Sequence, residues 1–200
     1  HKRIVDVNVL YSKMIESDVD DFKEKLINEE FVDIKRRGKW LIFETTNYYL
    51  LSHLRMEGKF FLKSSKDEIV KHEHIIITFD DDTQLRYHDT RKFGRMNLIN
   101  KEDLYNVEGI KKQGEEPFSK NLTKEYLLSK LQNKKLAIKT LLLDQTIISG
   151  LGNIYANEVL FAAKINPFKP GGKITIDECQ RIIDATNKII KEAIKMGGTT

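Results

Sequence analysis

The hydrophobic pattern of this chain changes period once, near Gly114, and that change restricts the fold more than any motif does. Before it lie short runs rich in β-branched and aromatic residues: IVDVNVLY, FVDIKRR, KWLIFET, YYLLSHLR, KFFLK, HIIITF, QLRYHD and RMNLI. The first alternates apolar with polar residues, the period of a strand with one buried face. Turn formers separate several of the runs, with TTN before Tyr48, DDD before Thr83, and Gly58 and Gly94 elsewhere. Only VDDFKEKLI has helical spacing in this half, with Ser17 or Asp18 as its N-cap. After the polar connector GEEPFSKN the period lengthens. TKEYLLSKL, AIKTLLLD, NIYANEVLFAA and TIDECQRIIDATNKIIKEAI all place apolar residues at helical intervals. Thr175 with Glu178 makes a capping box for the last of these, and Pro167, Pro170, Gly171 and Gly172 interrupt the chain before it. The expected class is α+β, an N-terminal antiparallel β-sandwich over residues 1–113 followed by an all-helical domain over residues 114–200.

At 200 residues and 40% hydrophobic content, the chain is long enough for two such units. The net charge of +4 is a weak pointer to a polyanionic partner and equally fits an ordinary lysine excess. One cysteine, Cys179, excludes a disulfide framework and a multi-cysteine zinc site within this chain; it reads as a helix residue without redox work. No apolar run approaches membrane-spanning length and no signal peptide opens the chain, which fits a cytosolic protein. The chain starts at His1 directly on a strand and stops at GGTT, so both ends read as cut.

The stretch SGLGNIYANE follows an apolar run and opens a helix. A dinucleotide fingerprint fails there, because Tyr155 stands where the third glycine belongs and no βαβ pattern follows. Helix, tight glycine turn, helix is the better reading. Gly150 and Gly152 permit positive φ and close backbone approach, the next helix presents free N–H groups that suit a phosphate, and Asn153 adds a donor. A plain helical hairpin with Asn153 as its N-cap fits the same spacing. Lys134, Lys135 and Lys139 lie just upstream and suit a nucleic-acid backbone or a solvated helix face. In the first half KRRGKW clusters charge at a strand-turn-strand junction, where a continued strand would put Arg37 and Lys39 on one face. His53 and Met56 end a strand before Gly58, Met56 being an apolar probe if exposed and core filler if buried. His72 and His74 in KHEH would share a strand face, but no third metal ligand is evident nearby. In DTRKFGRM, Arg91, Lys92 and Phe93 precede Gly94 in a loop. An exposed Phe there would wedge a base step beside a guanidinium that hydrogen-bonds a base, and a core Phe93 is the equal alternative.

Taken together, RRGKWLIF, HLRMEGKF, KHEH, LRYHDTRKFG, GEEPFS, AIKTLLLDQTIISGLGNIYANEVLFAAKINP and GGTT resemble, in one order along nearly the whole chain, the formamidopyrimidine-DNA glycosylases of the MutM type. The resemblance implies that the second domain is a helix-two-turns-helix module whose glycine turn closes on a DNA phosphate. It further implies a base-flipping bifunctional glycosylase and AP lyase, acting by β,δ-elimination on 8-oxoguanine and formamidopyrimidine in duplex DNA. Met56, Arg91 and Phe93 match the trio that fills the vacated space, with Arg91 facing the orphaned cytosine. His53, His72, Arg91, Lys134, Lys139 and Asn153 match DNA-contact positions, and Lys39 a lysine that contacts phosphate and donates a proton in strand cleavage. The implied partner is double-stranded DNA bearing an oxidised purine or abasic site, bound by a monomer in the bacterial cytoplasm at the nucleoid. Endonuclease-VIII-like glycosylases and a non-catalytic damaged-DNA-binding protein of the same fold are the alternatives.

The chain departs from that pattern in three places. The family's N-terminal proline nucleophile and following glutamate are not in this sequence, nor is the family's first helix, and His1 aligns downstream of them. The four-cysteine zinc finger would follow GGTT, so zinc is expected only in a full-length protein and no cofactor in this chain. Glu115 stands where the family has proline, with a connector effect alone expected.

Overall fold

The computed structural model describes residues 2–198; His1, Thr199 and Thr200, and the expectations that rest on them, lie outside the described residues. Two compact units divide the chain, His1–Ile110 and Lys111–Thr200.

In the first unit eight strands follow in order among the described residues: β1 Ile4–Val9, β2 Phe31–Arg37, β3 Trp40–Thr45, β4 Tyr48–His53, β5 Lys59–Ser64, β6 Glu73–Phe79, β7 Thr83–His88 and β8 Arg95–Asn100. They form two four-stranded sheets, β1-β6-β7-β5 and β2-β3-β4-β8, with every pairing antiparallel. A shared core joins the sheets. Ile4, Ile75, Ile77 and Tyr87 from the first meet Phe43, Leu50 and Met96 from the second, and Phe22 and Leu26 of helix α1, Val19–Leu26, close one side. Strand alternation is visible on β4, where Leu50 joins this core and Leu51 joins a second one on the outer face with Ile42 and Ile110. The segment that supplies Ile110 is the short helix α2, Glu108–Lys111.

Asp18, not Ser17, caps α1, its carboxylate accepting from Asp20 and Asp21 N–H. The TTN turn is built as expected and tied down from outside, since the buried Glu29 accepts from the Thr45 hydroxyl, Asn47 N–H and the Asn47 amide.

The second unit is helical: α3 Lys124–Leu131, α4 Ile138–Leu143, α5 Asn153–Ala162 and α6 Ile176–Lys195. Leu127, Ile138, Leu142, Val159 and Ile182 are among the residues of its core. The Thr175–Glu178 capping box is complete, and Glu178 also receives both bonds of Lys169.

Candidate nucleic-acid interface

Strand register gathers the candidate residues of the first unit at one end of the sandwich. Arg37, Trp40, His53 and Arg95 pair in sequence across β2, β3, β4 and β8. In the other sheet Lys59, His88 and Glu73 pair across β5, β7 and β6. The β2–β3 turn, the β4–β5 turn carrying Met56, the segment before β6 carrying His72 and the β7–β8 loop carrying Arg91 and Phe93 therefore emerge from the same end.

Both Met56 and Phe93 resolve toward the exposed alternative, at 70% and 47% exposure. Arg91 touches both other members of the trio. Arg91 Nη1 lies 3.0 Å from Met56 Sδ, and the Arg91 guanidinium sits 4.8 Å from the centre of the Phe93 ring. Backbone bonds set the loop, since the wholly buried Asp89 accepts from Arg91 N–H at 3.0 Å and Gly94 N–H at 2.8 Å. Arg95 reaches back to the Gly94 carbonyl at 2.7 Å. Neither Asp89 nor its neighbour Tyr87 was among the residues singled out from sequence. The only sequence signals were Gly58 and Gly94, two turn formers that share no obvious partner until the chain is folded.

Lys39 does not continue a strand beside Arg37. It occupies the second position of a two-residue turn whose first position, Gly38, has φ 56°, as a primed hairpin turn requires. The turn places Lys39 at the end of the sandwich, where partial desolvation by its surroundings holds its ammonium below the usual lysine range. His53 packs edge-on to Trp40, ring centres 5.1 Å apart. Its Nδ1 accepts Arg55 N–H at 3.0 Å, which leaves the proton on Nε2. Burial, with Arg55 and Lys39 adding repulsion, lowers its pKa to about 4. His53 is thus a neutral donor at neutral pH.

His72 and His74 do not share a strand face. His72 precedes β6 with φ 75°, while His74 lies within it, buried, its Nε2 2.8 Å from the Asp89 carbonyl. His72 instead stacks edge-on between His74 and His88, at 6.2 and 5.8 Å. Among the described residues no group of three or more His, Cys, Asp or Glu side chains could hold a metal ion. Cys179 is buried on α6, where burial and Glu178 push its thiol up to about 11. These residues do not fit a zinc finger.

In the second unit the glycine corner is two successive turns between α4 and α5. Asp144 Oδ1 accepts from Thr146 N–H and hydroxyl. Gln145 staples the second turn, accepting Gly150 N–H at 2.9 Å and donating to the Leu143 and Leu151 carbonyls. Gly150 does adopt positive φ, at 95°. Gly152 does not; at φ −113° it is the N-cap of α5 and offers no side-chain bond. Asn153 is accordingly the first helical residue rather than the cap. Its side chain is exposed and bonds to nothing among the described residues, beside the free N–H groups of the first turn. Lys139 lies in the first turn of α4, its N–H bonded to the Pro167 carbonyl, and Lys134 in the loop before it, its carbonyl held by Gly172 N–H.

Glu115 does more than connect. It bridges to Ile148, accepts Ser149 N–H at 2.9 Å and donates its own N–H to the Tyr126 hydroxyl at 3.1 Å, so it anchors the glycine corner from behind. A proline there would lack that donor.

A two-layer β unit with a basic, aromatic-tipped end, followed by a helical unit with an open helix N-terminus, has the features of a duplex-DNA-binding protein. Two family profiles match the chain: the formamidopyrimidine-DNA glycosylase N-terminal domain over residues 1–96 and the formamidopyrimidine-DNA glycosylase H2TH domain over residues 113–200. The chain belongs to the formamidopyrimidine-DNA glycosylase family. It is 45% identical over 201 residues to formamidopyrimidine-DNA glycosylases of Bacillus cereus and Ligilactobacillus salivarius, matching all of this chain and 73% of each relative. Among solved structures it is similar to the Lactococcus lactis enzyme in complexes with FAPY-dG-containing DNA and with abasic-site DNA. Both show TM-score 0.94 and 37% identity, covering 99% of this chain and 75% and 73% of those chains. No helix among the described residues is long and apolar enough to cross a membrane.

Proposed function

We propose that this chain serves the excision of oxidised purines such as 8-oxoguanine and formamidopyrimidine from duplex DNA, as a base-flipping glycosylase and AP lyase. The observation that carries this reading is the contact trio Met56, Arg91 and Phe93, exposed together at the end of the sandwich. Phe93 is a wedge for a base step, and Arg91, resting on that ring, presents guanidinium donors to the orphaned cytosine. Met56 supplies soft apolar volume beside them. His53 and His72 contact phosphate as uncharged donors. Lys39, its pKa lowered, contacts phosphate and donates a proton during strand cleavage. Lys134, Lys139 and Asn153 bind backbone from the helical unit, Asn153 together with the first-turn N–H groups of α5. The unit through Ile110 is the catalytic-type domain and the remainder the DNA-binding domain.

Cleavage by this family's chemistry needs a secondary amine that attacks the sugar C1′ and holds it as a Schiff base. The resemblance assigns that amine to an N-terminal proline. A polypeptide of these 200 residues, beginning at His1, is therefore expected to bind a duplex carrying an abasic-site analogue without forming a borohydride-trappable adduct on an 8-oxoguanine duplex. Binding is read by fluorescence anisotropy and the adduct by denaturing gel. No preference for the abasic duplex over an undamaged one would defeat the reading, and an adduct would defeat the assignment of the amine.

A further inference from the structure

We propose that Tyr87 and Asp89 are positioning residues that clamp the two probe loops together and so set the preference of the chain for cytosine over adenine opposite a vacated base. The inference rests on the function proposed above, since it concerns the aim of Arg91 and Phe93.

Asp89 is wholly buried and every polar group it has is engaged. Its carboxylate receives Arg91 N–H, Gly94 N–H and, at 3.4 Å, the Tyr87 hydroxyl. Its own N–H donates to the His72 carbonyl at 3.0 Å, and its carbonyl faces His74 Nε2 at 2.8 Å. One residue thus ties the His72 segment to the loop that carries Arg91 and Phe93.

Tyr87 supplies the second half. Its ring packs on Phe60 at 5.0 Å and is 1% exposed. Its hydroxyl is pinched between two backbones. A Cβ added at Gly58 would lie 2.2 Å from the Tyr87 oxygen, and one added at Gly94 would lie 1.8 Å from it. No side chain fits at either position. Gly58 closes the turn that carries Met56, and Gly94 closes the loop that carries Phe93. The gap between the two loops is therefore set by one phenol oxygen. Thr90 donates to Glu57 across the exposed side of the same gap. Neither Tyr87 nor Asp89 can reach DNA, so both act through the backbone of the residues that do. A side-chain contact to a base edge is short and directional, and a displaced loop loses it before it loses phosphate contacts made elsewhere.

The test is equilibrium binding of the full 200-residue chain, and of Tyr87→Phe, Asp89→Asn and Arg91→Ala, to duplexes carrying a tetrahydrofuran abasic analogue opposite cytosine or adenine, and to undamaged duplex. Thermal melting and amide hydrogen exchange at Arg91 and Gly94 accompany it. The native chain is expected to favour cytosine by roughly 5- to 150-fold, the range a good base-edge contact supplies. Arg91→Ala should abolish that ratio. Tyr87→Phe and Asp89→Asn should lose most of it while holding undamaged-duplex affinity within about twofold, as expected when only base-edge contacts are disturbed. Asp89→Asn should also speed exchange at both amides. Should Asp89→Asn fail to fold, Tyr87→Phe, which removes one oxygen, decides. A Tyr87→Phe chain with the native ratio overturns the clamp and leaves the functional reading standing if Arg91→Ala has lost it. Equal loss on all three duplexes overturns the clamp as well, since that is the behaviour of a merely structural residue. A native chain with no preference, or an Arg91→Ala chain that keeps it, overturns the reading and the clamp together.

Discussion

His53 is held as a neutral imidazole, and the reason is local. Trp40 covers one side of its ring, Arg55 N–H occupies Nδ1, and Arg55 and Lys39 repel a further positive charge. The folded pKa of about 4 lies below the ordinary 6.5, so on acidification the unfolded chain takes up this proton first. The stability contributed by a neutral His53 is present above pH 6.5 and lost as pH falls toward 4. Imidazole ¹⁵N shifts at pH 6 should show the Nε2–H tautomer uncharged, and His53→Gln should flatten the acid limb of a stability–pH profile between those values. At the exposed trio, Phe93→Ala should weaken binding to an abasic-analogue duplex while leaving undamaged duplex nearly untouched, measured by competition anisotropy. Equal losses on both would remove its role as wedge.

Elements hold these residues through interactions well away from the interface. Arg86 of β7 is the clearest case. All its donors are used: Gln84, the carbonyls of Ser64, Asp67 and Glu68, and Glu73, with both members of the Arg86–Glu73 pair 1% exposed. It fastens the long β5–β6 connection onto the sheet. Burial alone would push Glu73 up, but Lys63, Val70 N–H and Arg86 together hold its carboxyl below the usual range. This contribution to stability is therefore present above the ordinary carboxylate pKa and is lost on acidification. Arg86→Met should cost about 1–3 kcal/mol in urea denaturation, because it leaves the carbonyls of Ser64, Asp67 and Glu68 without their donor and Glu73 with Lys63 as its remaining cation. In the helical unit Thr175→Ala removes one half of the capping box and should cost about 1 kcal/mol by the same measurement. The glycine corner depends on Gln145 in the same manner, a single amide closing three backbone bonds.

At the scale of the whole molecule, the net charge of +4 is too small to identify a polyanion-binding protein, and the distribution of charge matters instead. If Lys134 and Lys139 each neutralise a phosphate, alanine at either should reduce the slope of log affinity against log salt by about 0.9. Asn153→Ala should lower affinity with the slope unchanged, because an amide displaces no counterion. The division into a β unit and a helical unit was legible in the sequence because hydrophobic period is a local property, carried by a handful of adjacent residues. The eight strands and the capping box followed from the same local signals. The candidate residues of the site came from resemblance, and their exposure was not legible: a buried Met56 was the commoner reading, and Phe93 read equally well as core. The charged turn at Lys39 was legible as a strand-turn-strand junction, though the left-handed φ of Gly38 shows only once the hairpin is closed, and His72 was misplaced onto a strand because the chain turns one residue later than its histidines suggest. At the head of α5 the cap is Gly152, not the Asn153 of the plain-hairpin reading, since a cap is defined by dihedral angles and not by residue type alone. Composition and spacing along the chain thus decided which segments became strands or helices and which residue types were available to meet DNA. Register, and with it the gathering of Lys39, His53, Met56, His72, Arg91 and Phe93 at one end of the sandwich, was decided by folding. So was the pinch of Gly58 and Gly94 on one tyrosine oxygen, because such contacts join residues whose separation along the chain carries no information about their separation in space.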